Sequence, residues 1–509
     1  MKTRITRIAA ALLLTTCCLL PTFSFAQPGS LDLSFGTGGI VTTDFGSDYD
    51  WAYSVAIQTD GKLVVAGTSL GDFALTRYNT DGTLDLGFGT GGKVTTDLGS
   101  SGERGHSVAI QTDGKIVVAG YSGNGPNWDF ALVRYTTNGA LDLTFGTGGK
   151  VTTPIGIARS VAIQTDGKIV VAGSSSNGTN WDFAVVRYTT NGSLDLGFGT
   201  GGVVTTNIGS GNDKAYSVVL QTDGKLVVAG FSKNGTNDDF ALVRYTTNGS
   251  LDNTFGTGGI VTTNFGSSSD EMRNSLAIQT DGKLVVAGNS NNSGSSDFAL
   301  VRYTTNGALD LTSGTGGIVT TDFGGFGGTD SGNSVAIQTD GKLVVAGYVS
   351  GALFALTRYT TNGALDLTFG TGGIVATPVG SGLTEPNSVA IQTDGKLVVA
   401  GWSSIGANRD FALVRYNGEG VTSIAENTME ANFTVYPNPS TGIFTIALDA
   451  TLQFANYTLR IINTLGQEVY HSAIATPQAT IDISTLPKGI YLLSLFDGEQ
   501  EGHRKIVKE

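Results

Sequence analysis

Three short strings recur along this 509-residue chain, each seven times and always in the same order. Leu-Asp-x-x-Phe-Gly begins at Leu31, Leu84, Leu141, Leu194, Leu251, Leu309 and Leu365, with Ser313 once replacing the Phe. Gln-Thr-Asp-Gly-Lys begins at Gln58, Gln111, Gln164, Gln221, Gln279, Gln338 and Gln392. Phe-Ala-(Leu/Val)-x-Arg-Tyr begins at Phe73, Phe130, Phe183, Phe240, Phe298, Phe354 and Phe411. A period of about 53–59 residues marks one supersecondary unit that hides its apolar faces only against copies of itself. The chain is too long for one ordinary core but not for such an array.

Each unit holds four short candidate strands, in the first copy Gly39–Thr43, Tyr53–Gln58, Leu63–Gly67 and Phe73–Tyr78, all rich in β-branched or aromatic residues. With 74 glycines and only 14% charged residues, turns are abundant and long helices poorly supplied. Strands two and three flank Thr-Asp-Gly, where Asp-Gly is expected to supply the positive backbone angles of a tight hairpin. Both strands are apolar without clean alternation, as when a sheet is covered on both faces. Such sheets, repeated seven times, predict an all-β fold. Its body is a seven-bladed β-propeller of four-stranded blades over residues 27–417, with units starting near 31, 84, 141, 194, 251, 309 and 365. A β-helix is the rival, but it calls for no hairpin in every unit. These strings resemble the Delta-60 repeat of bacterial proteins, which implies a propeller-like body and no general activity.

The two ends read as addresses. Lys2, Arg4 and Arg7 precede an apolar run from Ile8 to Leu20 and then Ser24-Phe25-Ala26, so residues 1–26 form an expected signal peptide. The run is too short to span a bilayer, and no membrane span is expected. Cys17 and Cys18 are the only cysteines and fall inside that segment, leaving no disulfide or thiol chemistry. Residues 418–431 form a polar linker. From 432 to 509, Val435-Tyr436-Pro437-Asn438-Pro439-Ser440, Leu465-Gly466-Gln467-Glu468-Val469 and Leu486-Pro487-Lys488-Gly489-Ile490-Tyr491 punctuate alternating strands, the pattern of a small β-sandwich. These strings resemble the C-terminal sorting domain of the type IX secretion system of Bacteroidetes. The resemblance implies that residues 432–509 meet that secretion machinery and that the chain passes through the periplasm to the outside or the outer cell surface.

The composition narrows the chemistry. The formal net charge is −13, and residues 1–26 hold three bases and no acid, so it is −16 without them; nucleic-acid binding is excluded as a reading. The seven Asp of Leu-Asp-x-x-Phe-Gly and the seven Arg of Arg-Tyr recur in every unit. They read as structural ion pairs, since a residue needed once for function need not appear seven times. Gly87, Gly89 and Gly92 fit G-x-G-x-x-G, but a Val-Thr-Thr strand follows where a phosphate-binding helix is required. The body has one histidine, His106, set in a variable loop, with no histidine pair for a metal and no nucleophile elbow. No cofactor is expected. Loop carboxylates (Asp48, Asp50, Glu103, Asp213, Asp270, Glu271, Asp330, Glu385) leave Ca2+ binding and glycosidase chemistry open as alternatives, although no Asp-x-Asp-x-Asp-Gly loop exists.

Antiparallel strands send loops one-to-two and three-to-four to one end of every blade. That end varies, through Phe45–Trp51, Leu98–His106, Pro154–Arg159, Phe265–Asn274, Thr68–Asp72, Tyr121–Asp129, Ser174–Asp182, Phe231–Asp239 and Trp402–Asp410. It gathers Trp51, Trp128, Trp181, Trp402, Tyr121 and Tyr348, expected as exposed rings of a ligand-binding surface for a glycan or a cell-surface protein. The expected protein is a monomeric, non-catalytic binding or adhesion module displayed outside the cell. The alternatives are a matrix protein without a discrete ligand and a carbohydrate-active hydrolase.

Overall fold

The computed structural model describes residues 26–509 except 125–126, 236, 265–274, 293–294, 324–329, 350–352, 419–432, 449–456, 464–467, 475 and 497–500. The signal segment, most of the linker, the Phe265–Asn274 loop with Asp270 and Glu271, and Leu465–Gln467 lie outside the described residues. Every described regular element is a strand. The chain divides into two units, Met1–Gly420 and Val421–Glu509.

The first unit is seven four-stranded antiparallel sheets. Blade 1 runs Asp50–Ile57, Leu63–Ser69, Asp72–Tyr78 and Lys93–Thr96, in that order from inside to outside, and blades 2 to 6 repeat it. Sheet boundaries thus fall one strand later than the sequence repeat suggests. The Val-Thr-Thr strand that opens each repeat is the outer strand of the preceding blade. The ring therefore closes on borrowed chain: blade 7 is Thr384–Ile391, Leu397–Ile405 and Asn408–Tyr416, completed by Ile40–Thr43 from the N-terminal side. Ile40 pairs with Val414 and Thr43 with Phe411.

The repeated strings turn out to be the joints between blades. The inner-strand Ser54 hydroxyl accepts the Val108 N–H of the next blade, and Ser107, Ser160, Ser217, Ser275, Ser334 and Ser388 do the same at 3.1–3.3 Å, the last returning to Val55. The fully buried Tyr of each Arg-Tyr bonds the second Thr of the preceding outer strand at 2.7–2.9 Å, from Tyr78–Thr43 round to Tyr416–Thr377. Burial pushes the Tyr78 phenol up to about 12. Between these joints, Val, Leu, Ala and Phe from adjacent sheets interlock, as Val117, Phe130 and Leu132 do with Val171 and Val186.

The recurrent Asp and Arg are structural. Each Arg Nε donates to its Asp at 2.7–2.8 Å, and the Lys of Thr-Asp-Gly-Lys approaches the same oxygen at 2.9–3.3 Å. The guanidinium then reaches on to a backbone carbonyl of the following blade, Arg77 to Thr137 and Arg415 to Thr80 among them. At Asp142 burial pushes the carboxyl up, but the Thr144 hydroxyl and N–H, Lys115 and Arg134 outweigh it and hold it well below its ordinary value. Asp32, Asp195, Asp252, Asp310 and Asp366 are lowered likewise, and Asp85 chiefly by Lys62. A carboxylate titrating lower in the fold than in the unfolded chain stabilises above the unfolded value and loses that contribution as pH falls through the folded one. The melting temperature is therefore expected to drop steadily as pH falls from about 4 towards 2. Thermal melts across that range check this, and an unchanged melt at pH 2 would contradict it.

The Thr-Asp-Gly-Lys turn differs from expectation. Only the glycine takes positive φ (81° at Gly61), with Gly61 N–H bonding Gln58 O and Gln58 N–H bonding Lys62 O. This is a three-residue turn ending in a left-handed glycine, so Asp60 stays in ordinary backbone space and its side chain caps Lys62 N–H.

In the second unit, Phe433–Tyr436, Ile443–Leu448 and Gln478–Asp482 form one sheet. Tyr457–Asn463, Glu468–Ile474, Gly489–Phe496 and Glu501–Lys508 form the other. Phe444, Ile446 and Ile481 share a buried core with Leu459, Ile461 and Leu493 from the facing sheet, a small β-sandwich.

Candidate functional site

The inner strands carry the feature that shapes the variable end. In six blades the pairing with the second strand slips by one residue, between Ala52 and Ser54 in blade 1 and at the equivalent place in blades 2, 3, 4, 6 and 7. The bulged residues are Tyr53, His106, Arg159, Tyr216, Asn333 and Asn387. A bulge re-aims the extra side chain and is made possible here by the glycine opposite. A Cβ on Gly120 would overlap the Arg104 carbonyl oxygen, which explains the Gly ending each Leu-Val-Val-Ala-Gly.

Two residues before each bulge stand Trp51, Arg104, Ile157, Lys214, Ser331 and Glu385. Together the two positions make the rim of the ring unequal. Blades 1 to 4 present aromatic and cationic groups, and blades 6 and 7 present Ser331, Asn333, Glu385 and Asn387.

On the aromatic side the groups touch in series. Trp402 and Trp51 lie 6.5 Å apart between ring centroids, and Tyr49 lies 6.1 Å from Trp51. The Arg409 guanidinium sits 4.6 Å over Trp402, and Arg104 sits 4.8 Å over Trp51 while bonding the Tyr53 hydroxyl at 3.4 Å. Tyr53, His106, Tyr121 and Trp128 follow, at successive centroid separations of 4.6, 5.4 and 4.8 Å. Burial raises the Tyr121 phenol, opposed by Arg104 and Arg159, which places Arg159 within electrostatic reach of the same chain of rings. Arg159 in turn stacks 4.5 Å over Tyr216, itself 6.1 Å from Phe231. The result is a belt of rings interspersed with cations across four blades and the edge of the seventh, its step from blade 2 to Arg159 electrostatic rather than a ring contact.

Of the six expected binding rings, Trp51, Trp128, Trp402 and Tyr121 enter this belt, while Trp181 and Tyr348 do not. Nor are the rings exposed as expected: Tyr121 is 9% and Trp402 8% exposed, and the other four are half-buried. The second and third strands run further than the sequence suggests, Ile116–Asn124 pairing with Asn127–Tyr135, so residues read as loop lie in ladders. His106, too, stands in a strand rather than a loop. Arg104, Arg159, Arg409, Lys214, Tyr53 and Tyr216 escaped the sequence reading. Aligning the seven inner strands on their Ser would have shown all of these but Arg409, which stands on the third strand of blade 7.

The loop acids also differ from expectation. Asp50, Glu103, Asp213 and Asp330 are buried rather than presented to solvent. Asp50 accepts the Phe45 N–H, Glu103 the Leu98 and Ser100 N–H groups, and Asp213 the Ile208 N–H, so each pins the connection leading into its own blade. Burial pushes Glu103 and Asp213 up. Among the described residues, three blade seams gather three acids with oxygens within 4.8 Å of one another: Asp44, Asp50 and Asp410; Asp72, Asp97 and Glu103; Asp297, Asp322 and Asp330. Burial, then Asp44 and Asp50, push Asp410 up to about 6 against Lys93.

Comparison with known proteins agrees with both units. Seven segments, 58–88, 111–145, 164–198, 221–255, 279–312, 338–369 and 392–421, match a domain of unknown function (DUF5122) β-propeller, and residues 434–509 match a secretion system C-terminal sorting domain. No curated protein matches the chain. Among solved structures, virginiamycin B lyase from Staphylococcus aureus is 14% identical, covering 74% of this chain and 98% of its own, with a TM-score of 0.45. Polysaccharide lyase Uly1 is 12% identical over 79% and 94%, with a TM-score of 0.44. PorZ, a surface component of the type IX secretion system of Porphyromonas gingivalis, is 10% identical over 90% and 81%, with a TM-score of 0.24. At such identities and scores these likenesses carry no information about activity.

Proposed function

We propose, from the premise that this chain is a DUF5122 β-propeller carrying a secretion system C-terminal sorting domain, that outside the cell it acts as a non-catalytic module binding acidic glycans through the belt. Export to the surface or beyond follows from the sorting domain. The observation that supports the finer reading is the interleaving of Arg409, Arg104, Arg159 and Lys214 with the half-buried rings Trp51, Tyr53, His106 and Tyr216 in a chain of net charge −13. Rings of this kind stack on the apolar faces of sugars, and guanidinium groups bond carboxylates or sulfates in charge-assisted pairs. Clustering cations on one rim of an acidic protein gives local attraction where the whole repels, and such binding weakens with salt.

A hydrolase using loop carboxylates is the less favoured reading, because Asp50, Glu103 and Asp213 are buried and already bonded to backbone N–H groups.

The test is retention of the full chain on immobilised acidic and neutral polysaccharides. Retention on the acidic set is expected to fall at least tenfold in Arg104→Gln/Arg159→Gln, about 1.4 kcal/mol or more, with an unchanged melt. Equal retention by variant and parent would end the proposal, and shortening of the polysaccharide would replace binding by cleavage.

A further inference from the structure

We propose that the seam where the ring closes is a divalent-cation site of the calcium class, held by Asp44, Asp50 and Asp410. They come from two distant stretches of chain, Asp44 and Asp50 from the two ends of one short connection and Asp410 from the last blade. Asp44 directly follows the closing strand Ile40–Thr43, Asp410 directly precedes Phe411, the partner of Thr43, and Asp50 opens the inner strand of blade 1. Their oxygens lie within 4.8 Å of one another, inside the span of about 4.6–5.2 Å that one ion with 2.3–2.6 Å bonds covers.

Their hydrogen bonding leaves a place for the ion. Asp50 accepts the Phe45 N–H at 2.7 Å and the Ser47 hydroxyl, and Asp44 accepts the Gly46 N–H at 2.5 Å. Asp410 is 6% exposed, and its buried Oδ1 has no hydrogen-bond partner. An unbonded buried carboxylate oxygen beside two more carboxylates is costly, and a cation is what would relieve it. The nearby ammonium, Lys93, is engaged with the Asp44 carbonyl at 2.5 Å. Asp44 is exposed, so an ion has a way in. The donors are all oxygen, which suits Ca2+ rather than zinc or copper.

The fold itself does not require these acids. At the equivalent seam between blades 6 and 7 the same three places hold Pro378, Thr384 and Leu353, and that seam is built all the same. Nor is the closing seam equivalent to the next one, where Asp72, standing in the place of Asp410, is only half-buried. An ion at the closing seam would tie the N-terminal segment to the first and last blades and stabilise the ring by mass action. This proposal stands independently of glycan binding.

The test uses the full chain stripped with EDTA and titrated with CaCl2, against NaCl at matched ionic strength, with the melting temperature and calorimetric heat as readouts. A saturable rise is expected. In Asp410→Asn the calcium concentration for half-effect should increase at least tenfold, while the calcium-free melt stays at or above that of the parent because a buried unpaired charge is gone. Asp44→Asn, altering an exposed residue, should weaken calcium in the same direction. No calcium-dependent rise in the parent, or an unshifted half-effect in both variants, would overturn the site.

Discussion

Deleting residues 27–43 is expected to abolish cooperative folding of the propeller, although all the remaining blade strands are kept. Those residues supply the outer strand of blade 7, and with it Phe35, fully buried beneath the Arg415 guanidinium at 4.4 Å. They also supply Asp32, which pairs with both Arg415 and Lys396. Losing a buried Phe costs about 3–5 kcal/mol, and stranding a buried Arg costs a similar amount. Together they reach the net stability of a typical domain, about 5–15 kcal/mol. The bared edge of Asn408–Tyr416 would then pair with other chains. Size-exclusion chromatography and circular-dichroism melts read the outcome. A permuted chain that begins near Asp50 and carries residues 27–43 after Asn417 should fold normally, since Gly29 N–H already bonds Asn417 O. A deletion mutant that melts like the parent would mean that the ring does not depend on its closing strand.

Arg358→Met is expected to destabilise by about 3–5 kcal/mol, the cost of removing one member of a buried ion pair. The Arg358 side chain is wholly buried, pairs with Asp366 at 2.8 Å, lies 4.7 Å over Phe369 and donates to Gly418 O in the next blade. Methionine fills much of the volume but leaves Asp366 with Lys342 and Thr368 only. Arg358→Lys should recover only part of the loss, because an ammonium cannot serve the carboxylate and the carbonyl with one rigid fork. Urea titration of both variants measures this. A loss below about 1 kcal/mol for Met, the range of exposed pairs, would show that the pair matters no more than a surface bridge.

What the sequence disclosed follows from what repetition encodes. Ser54, Tyr78, Arg77 and Asp85 recur because every blade needs the same joints, so the number of blades, their order and the structural role of the charges were all legible. The split of each repeat between two blades was not, because Ile40–Thr43 reads as a strand equally well whichever sheet receives it. The bulge was hidden for a different reason. Its only trace is the Gly of Leu-Val-Val-Ala-Gly, which reads as a strand end until a carbonyl oxygen is found beside it. With the bulge unseen, Tyr53, His106 and Arg159 look like scattered polar residues, and the tryptophans stand out in their place. The acids misled in turn. Asp50 and Glu103 resemble solvent-facing loop residues, but each connection folds over its own carboxylate, and a backbone N–H leaves no mark in a sequence.

The borrowed outer strand has one more consequence. Ile-Val-Thr-Thr occupies not only residues 40–43 but also 260–263 and 318–321, in the outer strands of blades 4 and 5. Backbone pairing therefore cannot tell the end of the ring from its middle, and two molecules trading their first strands would forfeit no ladder bond. Fidelity of closure rests on tether length: an arm joined to blade 1 by a few residues finds its own gap before it meets a neighbour's.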